Sequence, residues 1–587
     1  MKILMIASEM DGIIKTGGLA DFTAALPKAL MAQGHEVRVI LPKYKQAVMP
    51  EPISSPAPIS TKETQAGTEQ KLKPEAKLKP ETKLEPELKL ESETKLEPEL
   101  KLEPELKLEP ELKLELELKL ELELELPMDT GSAEKIKSNS LYFNLNHTTR
   151  YGCLVYHTQL NGIPVRLVEH HDFFSRDGIY DDGNYAYADN PLRYAFLCKA
   201  ALESCLQEQW IPDVIHCNDW QTALAPYYLK EHYSHIPAFK NTKSLLTIHN
   251  GSYQGKTDAK WVDALGILPQ RFTSELMEEH GRLNLLKCGI MYADGINAVS
   301  PGYGEELLLP DSSHNLWHYL NQRKDQFQGI LNGCDYTQWN PATDTSLPHH
   351  FSQKDMDGKA LCKTALQARM KLPETPEVPL LGLIARLVEQ KGFEYLLPAL
   401  ERLLYENPPI QLALLGSGDP GYGSRLHHLQ KRYPHKISFV NGYNDGLAHL
   451  IEAGSDFFMM PSLFEPCGLN QLYSLAYGTL PIIRETGGLK DTVVGVNLDL
   501  DIPSESLETN FHAGTKNLLN KNKYATGISF THPDPQNCYG ALKQAMRLYF
   551  DHQFLYLSIQ QRAMGQLFTW DESARGYSIF YEKLKNT

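Results

Sequence analysis

The sequence predicts an α/β protein with two doubly wound parallel sheets. Two observations carry this. Short apolar runs alternate with helical periodicities from the N-terminus to about residue 300, and the alternation restarts near Val378, just after the breaker-rich stretch Pro373–Pro379 (PETPEVP). Polar, glycine-bearing clusters also close many of the apolar runs, as ligand loops do at the carboxyl ends of parallel strands.

The elements follow in order. KILMIASE (2–9) is an apolar run ending in polar residues, which suits a buried parallel strand. DGIIKTGGLAD (11–21) reads as a loop, FTAALPKALMAQG (22–34) as a helix closed by glycine, and HEVRVILPKY (35–44) as the next strand, a βαβ beginning. CLVYHTQ (153–159) and IPVRLVEH (163–170) are strands, 190–209 is helical, DVIHCND (213–219) a strand, 220–233 helical and SLLTIHN (244–250) a strand. Residues 283–294 look helical and GINAVS (295–300) extended. In the second series VPLLGLIAR (378–386), IQLALLGSG (410–418), KISFVNGY (436–443), DFFMMPS (456–462) and LPIIRETGG (480–488) are strands, with helices at 392–406 and 467–478. The chain of 587 residues, about four units at ~150 residues each, thus reduces to a first domain over 1–350 and a second over 351–570. A last helix within 571–587 is free to return to the first domain.

Composition narrows the function classes. Hydrophobic residues are 42% and charged residues 22%, an ordinary globular balance. The net charge of −15 excludes a whole-chain basic footprint for nucleic acid or an anionic membrane. Nine cysteines (153, 198, 205, 217, 288, 334, 362, 467, 538) show no CxxC spacing, so reduced thiols are expected instead of a disulfide framework or a zinc site. The first apolar run meets Glu9 too soon for a signal peptide, and no stretch of ~18 apolar residues suggests a membrane span. A soluble, cytoplasmic protein is the expectation.

One segment, about 46–140, interrupts the first domain. From Lys71 to Leu124 it is nine hexads of the KLEPEL type, with 11 Lys and 16 Glu, a third of the whole net charge. Six hexads carry Pro at position four, which argues against a long helix, whereas Leu112–Leu126 alternates Leu with charge as a strand does. The readings are a solvated low-complexity insert or a self-association tether. Deleting 50–135 and measuring activity and oligomeric size decides between them; loss of catalysis overturns the first.

Several strand-end clusters can carry chemistry. Lys15-Thr16-Gly17-Gly18-Leu19-Ala20-Asp21 offers paired glycines, a helix start and a point charge to an anion, although it is neither a Walker loop nor GxGxxG. His216-Cys217-Asn218-Asp219-Trp220 and His249-Asn250-Gly251 place two histidines at strand ends, without metal-ligand spacing. Arg386 and Lys391, five residues apart, can clamp a diphosphate, Arg as a fork and Lys as a compact charge. Gly416-Ser417-Gly418-Asp419 suits close backbone approach to a nucleotide. Glu465-Pro466-Cys467-Gly468-Leu469 opens a helix with free N–H groups, and Thr486-Gly487-Gly488 ends another strand. A diphosphate held between two α/β domains follows; the reaction class does not.

These blocks resemble the bacterial glycogen synthase and plant starch synthase family. KTGGLAD (15–21), HCNDW (216–220), TIHNGSYQG (247–255), YADGINAVSPGYGEE (292–306), ILNGCD (330–335), ARLVEQKG (385–392), GSGDP (416–420) and SLFEPCGLNQLYSLAYGTLPIIRETGGLKDTV (462–493) occur in the family's order over the whole chain except the insert. The resemblance implies a GT-B fold, two Rossmann-like domains facing a deep cleft. It implies glucose transfer from ADP-glucose to the non-reducing end of an α-1,4-glucan with retention of configuration, and no metal or other cofactor. It also implies roles. Arg386 and Lys391 stabilise the leaving diphosphate; Lys15, Gly17 and Gly18 close over the phosphates. Glu465 lies at the donor glucose, Cys467, Gly468 and Leu469 offer backbone contacts to sugar and phosphate, and His249 and Asn332 lie near the glucose. Gly418 and Tyr443 serve the nucleotide, Tyr443 by stacking on the base. Asp21, Asp219 and Trp220 fall on the acceptor side, and Asn250 is a further candidate for substrate binding. Two departures stand out: Asn470 replaces a common Thr, and Tyr473 sits where wider nucleotide-sugar transferases place a second Glu. Rival readings are another GT-B transferase, a silent glucan-binding protein and, with GxGxxG missing, a dehydrogenase.

Overall fold

The computed structural model describes residues 1–52, 136–498 and 518–587, all in one compact unit; the hexads and Leu112–Leu126 lie outside the described residues. Two sheet layers carry the structure, one parallel at its centre with an antiparallel edge and one wholly parallel, where the alternating pattern predicts two parallel sheets.

The first sheet has ten strands. Its order runs Phe327–Gly329, Gly295–Ala298, Lys243–Ile248, Val214–Asn218, Lys2–Ile6, Glu36–Pro42, Ile163–Glu169, Arg150–Leu160 and Glu51–Pro52, with Ser138–Asn144 also on Arg150–Leu160. The central strands are parallel, with Ile3 opposite both Val37 and Val214. Arg150–Leu160 runs antiparallel to Ser138–Asn144 and Ile163–Glu169. The apolar alternation does not announce Ser138–Asn144, because only three of its residues, Asn139, Leu141 and Phe143, are even partly covered. A small antiparallel sheet, Glu278–Glu279, Arg282–Asn284 and Lys256–Asp258, is a second feature absent from the sequence reading.

The second sheet is six-stranded and wholly parallel: Ile437–Asn441, Gln411–Gly416, Leu380–Ile384, Phe457–Met460, Leu480–Arg484, Ile528–Phe530. The order reverses between Gln411–Gly416 and Phe457–Met460 around Leu380–Ile384, so the Arg386 loop emerges at a topological switch point.

The last helix, Trp570–Lys585, lies against the first sheet's helix Gly18–Ala32. Trp570, Tyr577, Phe580, Tyr581 and Leu584 are buried in one cluster with Phe22, Leu26 and Leu30. Tyr577 Oη meets Asn297 Nδ2 at 2.6 Å, and Tyr581 Oη meets His216 Nδ1 at 2.7 Å.

Candidate active site

The loop after Lys2–Ile6 turns into the helix Gly18–Ala32. Gly18 to Asp21 therefore form its first turn and are not the loop the sequence suggests. Gly17 is the extended N-cap (φ −163°) and supplies no capping side chain, so leading N–H groups stay available to an anion. A Cβ on Gly17 or Gly18 would meet nothing within 4 Å, so the space over this turn is open, while Leu19 and Ala20 anchor it in the core. Lys15 Nζ lies 2.6 Å from Asp21 and 3.3 Å from Asp11. Burial works against the ammonium, but the two carboxylates outweigh it and raise its pKa. Burial raises Asp21 as well.

Glu9 holds this loop from beneath. Only 3% exposed, it accepts hydrogen bonds from Thr16 N (2.5 Å), Thr16 Oγ1 (2.7 Å) and Tyr180 Oη (2.5 Å). In the sequence Glu9 is only the charge that ends an apolar run; a partner 171 residues away leaves no local signal.

The two histidine clusters separate into different roles. His216 is fully buried within its strand, with Thr247 Oγ1 at 2.7 Å on Nε2 and Tyr581 on Nδ1, so it is a satisfied core residue. His249 stands at the strand end. Its Nε2 faces Asn218 Oδ1 at 2.9 Å, and Asn218 Nδ2 donates to Ile6 O, which fixes the amide. A carboxamide oxygen only accepts, so Nε2 carries the proton and Nδ1 keeps its lone pair. Burial pushes the His249 pKa down to about 3, so the ring is neutral.

Asp219 lies beneath this turn. At 9% exposed and with left-handed backbone (φ 56°), it accepts from His249 N at 2.7 Å and Asn250 N at 3.3 Å. Both bonds fall on Oδ1, so this one oxygen holds the His249 turn. Asn250 Oδ1 likewise closes its own turn on Ser252 N and Oγ. Trp220 lines a groove of about 670 Å³ with Tyr187, Tyr253, Gln254, Lys256 and His314.

Burial raises the Asp219 pKa to about 7. The folded state therefore holds this proton more tightly than the unfolded chain. The stability it contributes is full below about pH 4 and is lost as pH rises through about 7. Asp219→Asn, which keeps the acceptor oxygen, is expected to match the wild type at pH 4 and exceed it by a few kcal/mol at pH 8 in denaturant unfolding. An unchanged difference at the two pH values would count against this.

On the second sheet Arg386 is exposed, with no side-chain partner among the described residues. Its loop is zipped to the next one by Leu387 N to Ser417 O and Asp419 N to Leu387 O, both 2.8 Å. The need for Gly418 (φ +146°) lies here: a side chain would strike the Leu387 backbone. The glycine thus lets two strand-end loops approach backbone to backbone. Lys391 Nζ pairs with Glu465 Oε2 at 2.6 Å, and Ser462 Oγ donates to the same oxygen at 2.8 Å. Glu465 is 7% exposed. Gly468 is left-handed (φ +77°) where Glu465–Leu469 turns into the helix Asn470–Ala476. Cys467 is buried, and its burial lifts the thiol to about 12. Asn332, 6% exposed, has a buried Oδ1 without a hydrogen-bond partner among the described residues.

The two departures have structural roles. Asn470 Nδ2 donates to Ile384 O at 3.2 Å. Tyr473 stacks on Trp339 at 3.8 Å, and Trp339 stacks on His449 at 3.8 Å, a sandwich that a second carboxylate could not join.

The two sheets meet at these strand ends. Lys15 and Asp11 act electrostatically on the exposed Tyr443, and Asp21 on Tyr473. Ser300 Oγ donates to Pro466 O at 2.6 Å. Two short helices exchange carboxylates: Gly302 N donates to Asp491 (2.7 Å) and Gly487 N to Glu306 (2.8 Å). The Thr486–Gly488 turn is therefore already partly occupied by a protein carboxylate. Among the described residues no group of three or more His, Cys, Asp or Glu side chains is arranged to hold a metal ion.

A family model described as the starch synthase catalytic domain matches residues 2–81 and 124–322, and one for glycosyl transferases group 1 matches 366–497. The glycogen synthase of Aeromonas salmonicida is 36% identical over 582 residues, covering 99% of this chain and 98% of its own length. That of Vibrio cholerae is 36% identical, covering 98% and 97%. Among solved structures, the catalytic domain of starch synthase IV from Arabidopsis thaliana, bound to ADP and acarbose, superposes with a TM-score of 0.75 at 27% identity, covering 100% of this chain and 99% of that one. Sucrose-phosphate synthase from Thermosynechococcus elongatus shares the fold alone, with a TM-score of 0.50 at 14% identity over 99% and 98% of the chains. With that identity sustained over its full length, and with two largely parallel sheets meeting at their strand ends, the chain belongs to the glycogen synthase and starch synthase family of GT-B glycosyltransferases.

Proposed function

We propose that this protein transfers glucose from ADP-glucose to the non-reducing end of an α-1,4-glucan, with retention of configuration. The observation that carries this is an exposed Arg386 with no side-chain partner among the described residues, on the same switch-point loop as the Lys391 that pairs with Glu465. Arg386 and Lys391 act on the charge that grows on the leaving diphosphate, in place of a metal. The open first turn at Gly17–Gly18, with Lys15, receives the phosphates from the other side. The relative solved with ADP and acarbose supports a nucleotide and a glucan at such a site.

Glu465 and the neutral His249, whose Nδ1 is free to accept, orient the donor glucose; Asn332 Oδ1 accepts from a hydroxyl or amide there. Cys467, Gly468 and Leu469 contribute backbone N–H groups, and Tyr443 stacks on the base. Asp21 and the Trp220 groove take the acceptor glucan. The acceptor 4-hydroxyl attacks on the face from which ADP leaves, through an oxocarbenium-like state, and the leaving phosphate takes the proton. The carboxylate pair of glycosidases is then unnecessary. A trapped glucosyl-enzyme adduct would replace this with a double displacement. The nine cysteines, all buried and unpaired, support a reducing compartment such as the cytoplasm.

Labelled ADP-glucose and UDP-glucose, each with and without glycogen, test the reading. Incorporation into polymer from ADP-glucose is the expected result. Glycogen binding without incorporation from either donor would instead make this a silent glucan-binding protein.

A further inference from the structure

The segment leading to Glu465 leaves the strand Phe457–Met460 and is gripped by its own carbonyls. Pro461 O accepts from Tyr395 Oη, and Phe464 O from Gln390 Nε2 at 3.1 Å. The two carbonyls between them belong to one side chain: Arg484 Nε donates to Ser462 O at 2.8 Å and Arg484 Nη2 to Leu463 O. Its Nη1 reaches Thr531 O at 3.4 Å. Arg484 is the last residue of the strand Leu480–Arg484, adjacent to Phe457–Met460 in the sheet, so the fork is aimed by rigid backbone. Among the described residues its guanidinium hydrogen-bonds only carbonyls. Burial lowers its pKa, and Tyr395 and Glu306 act in the opposite direction.

Ser462 links this fork to the site. Its carbonyl is held by Arg484 while its hydroxyl donates to the Glu465 oxygen that Lys391 also holds. We propose that Arg484 is a positioning residue for Glu465, setting the Ser462–Glu465 turn so that the carboxylate stands on Lys391. The proposal rests on the reading of Glu465 as the donor-side carboxylate. A planar fork serves two successive carbonyls with fixed geometry; an ammonium on a flexible stem does not.

The full chain carrying Arg484→Lys tests it. With ADP-glucose and glycogen, kcat is expected to fall on the order of 10–100-fold while the KM for glycogen is unchanged, because misplacement of a reacting group by about 1 Å is that costly. Added guanidinium ion should restore part of the kcat of Arg484→Ala but not of Lys391→Ala. In the unliganded protein, amide hydrogen exchange over residues 462–468 should quicken in Arg484→Lys while the rest of the second sheet is unaffected. Wild-type kcat together with wild-type exchange in Arg484→Lys would overturn the proposal. So would a general rise in exchange, or a failure of both variants to fold, since Arg484 would then be purely structural. If the wild type transfers no glucose, the functional reading fails, and the exchange measurement still decides whether Arg484 sets this loop.

Discussion

Lys391→Ala is expected to lower kcat by about 10²–10³-fold, roughly 3–4 kcal/mol of barrier, the scale lost when a group aimed at developing negative charge is removed. Two effects combine. The leaving diphosphate loses a cation, and Glu465 keeps only the Ser462 hydroxyl on the oxygen that Lys391 had held. A buried carboxylate stripped of its cation is costly, so the site also reorganises. The two effects separate in a cycle of Lys391→Ala, Glu465→Gln and the double variant, assayed for kcat and kcat/KM with ADP-glucose. The double variant should be less impaired than the sum of the singles, because each single leaves half of one ion pair behind. Strict additivity would show that the 2.6 Å pair does not operate as a unit.

Tyr577→Ala is expected to destabilise the protein by about 3–5 kcal/mol, the range for emptying a large aromatic site. Tyr577 is fully buried between Phe22 and His216, and its hydroxyl is the short-range partner of Asn297 Nδ2. Asn297 Oδ1 already has no partner among the described residues, so the truncation leaves a poorly satisfied amide beside a new cavity. Tyr577→Phe keeps the packing and should cost only about 1 kcal/mol. The measurement is the shift of the denaturant midpoint at constant m. Equal losses in the two variants would assign the effect to the hydroxyl and not to packing of the last helix.

Local pattern served well where chemistry depends on neighbours in the chain. The strand end before Arg386 and Lys391 and the open space over Gly17 and Gly18 were legible, because a short apolar run and paired glycines are local signals. The histidine clusters show the limit. His216 and His249 each follow a similar apolar run, yet one is sealed inside the sheet by Thr247 and Tyr581 and the other stands at its end. Alternation along a strand does not say where the strand stops. The packing of Gly418 on the Leu387 backbone was not legible, since the partner lies on another loop.

What the sequence determined by itself was the α/β class, the two sheet series and the family. These rest on short-range periodicity and on motifs a few residues long. The tertiary structure alone decided that Glu9 holds the Lys15 loop, that an Asp219 oxygen holds the His249 turn, that Arg484 grips the Glu465 turn, and that the last helix seals the first sheet. Each of these joins residues that are distant in the chain by hydrogen bonds or buried surface. Their value comes from desolvation in the folded state, a quantity that no local stretch of sequence carries.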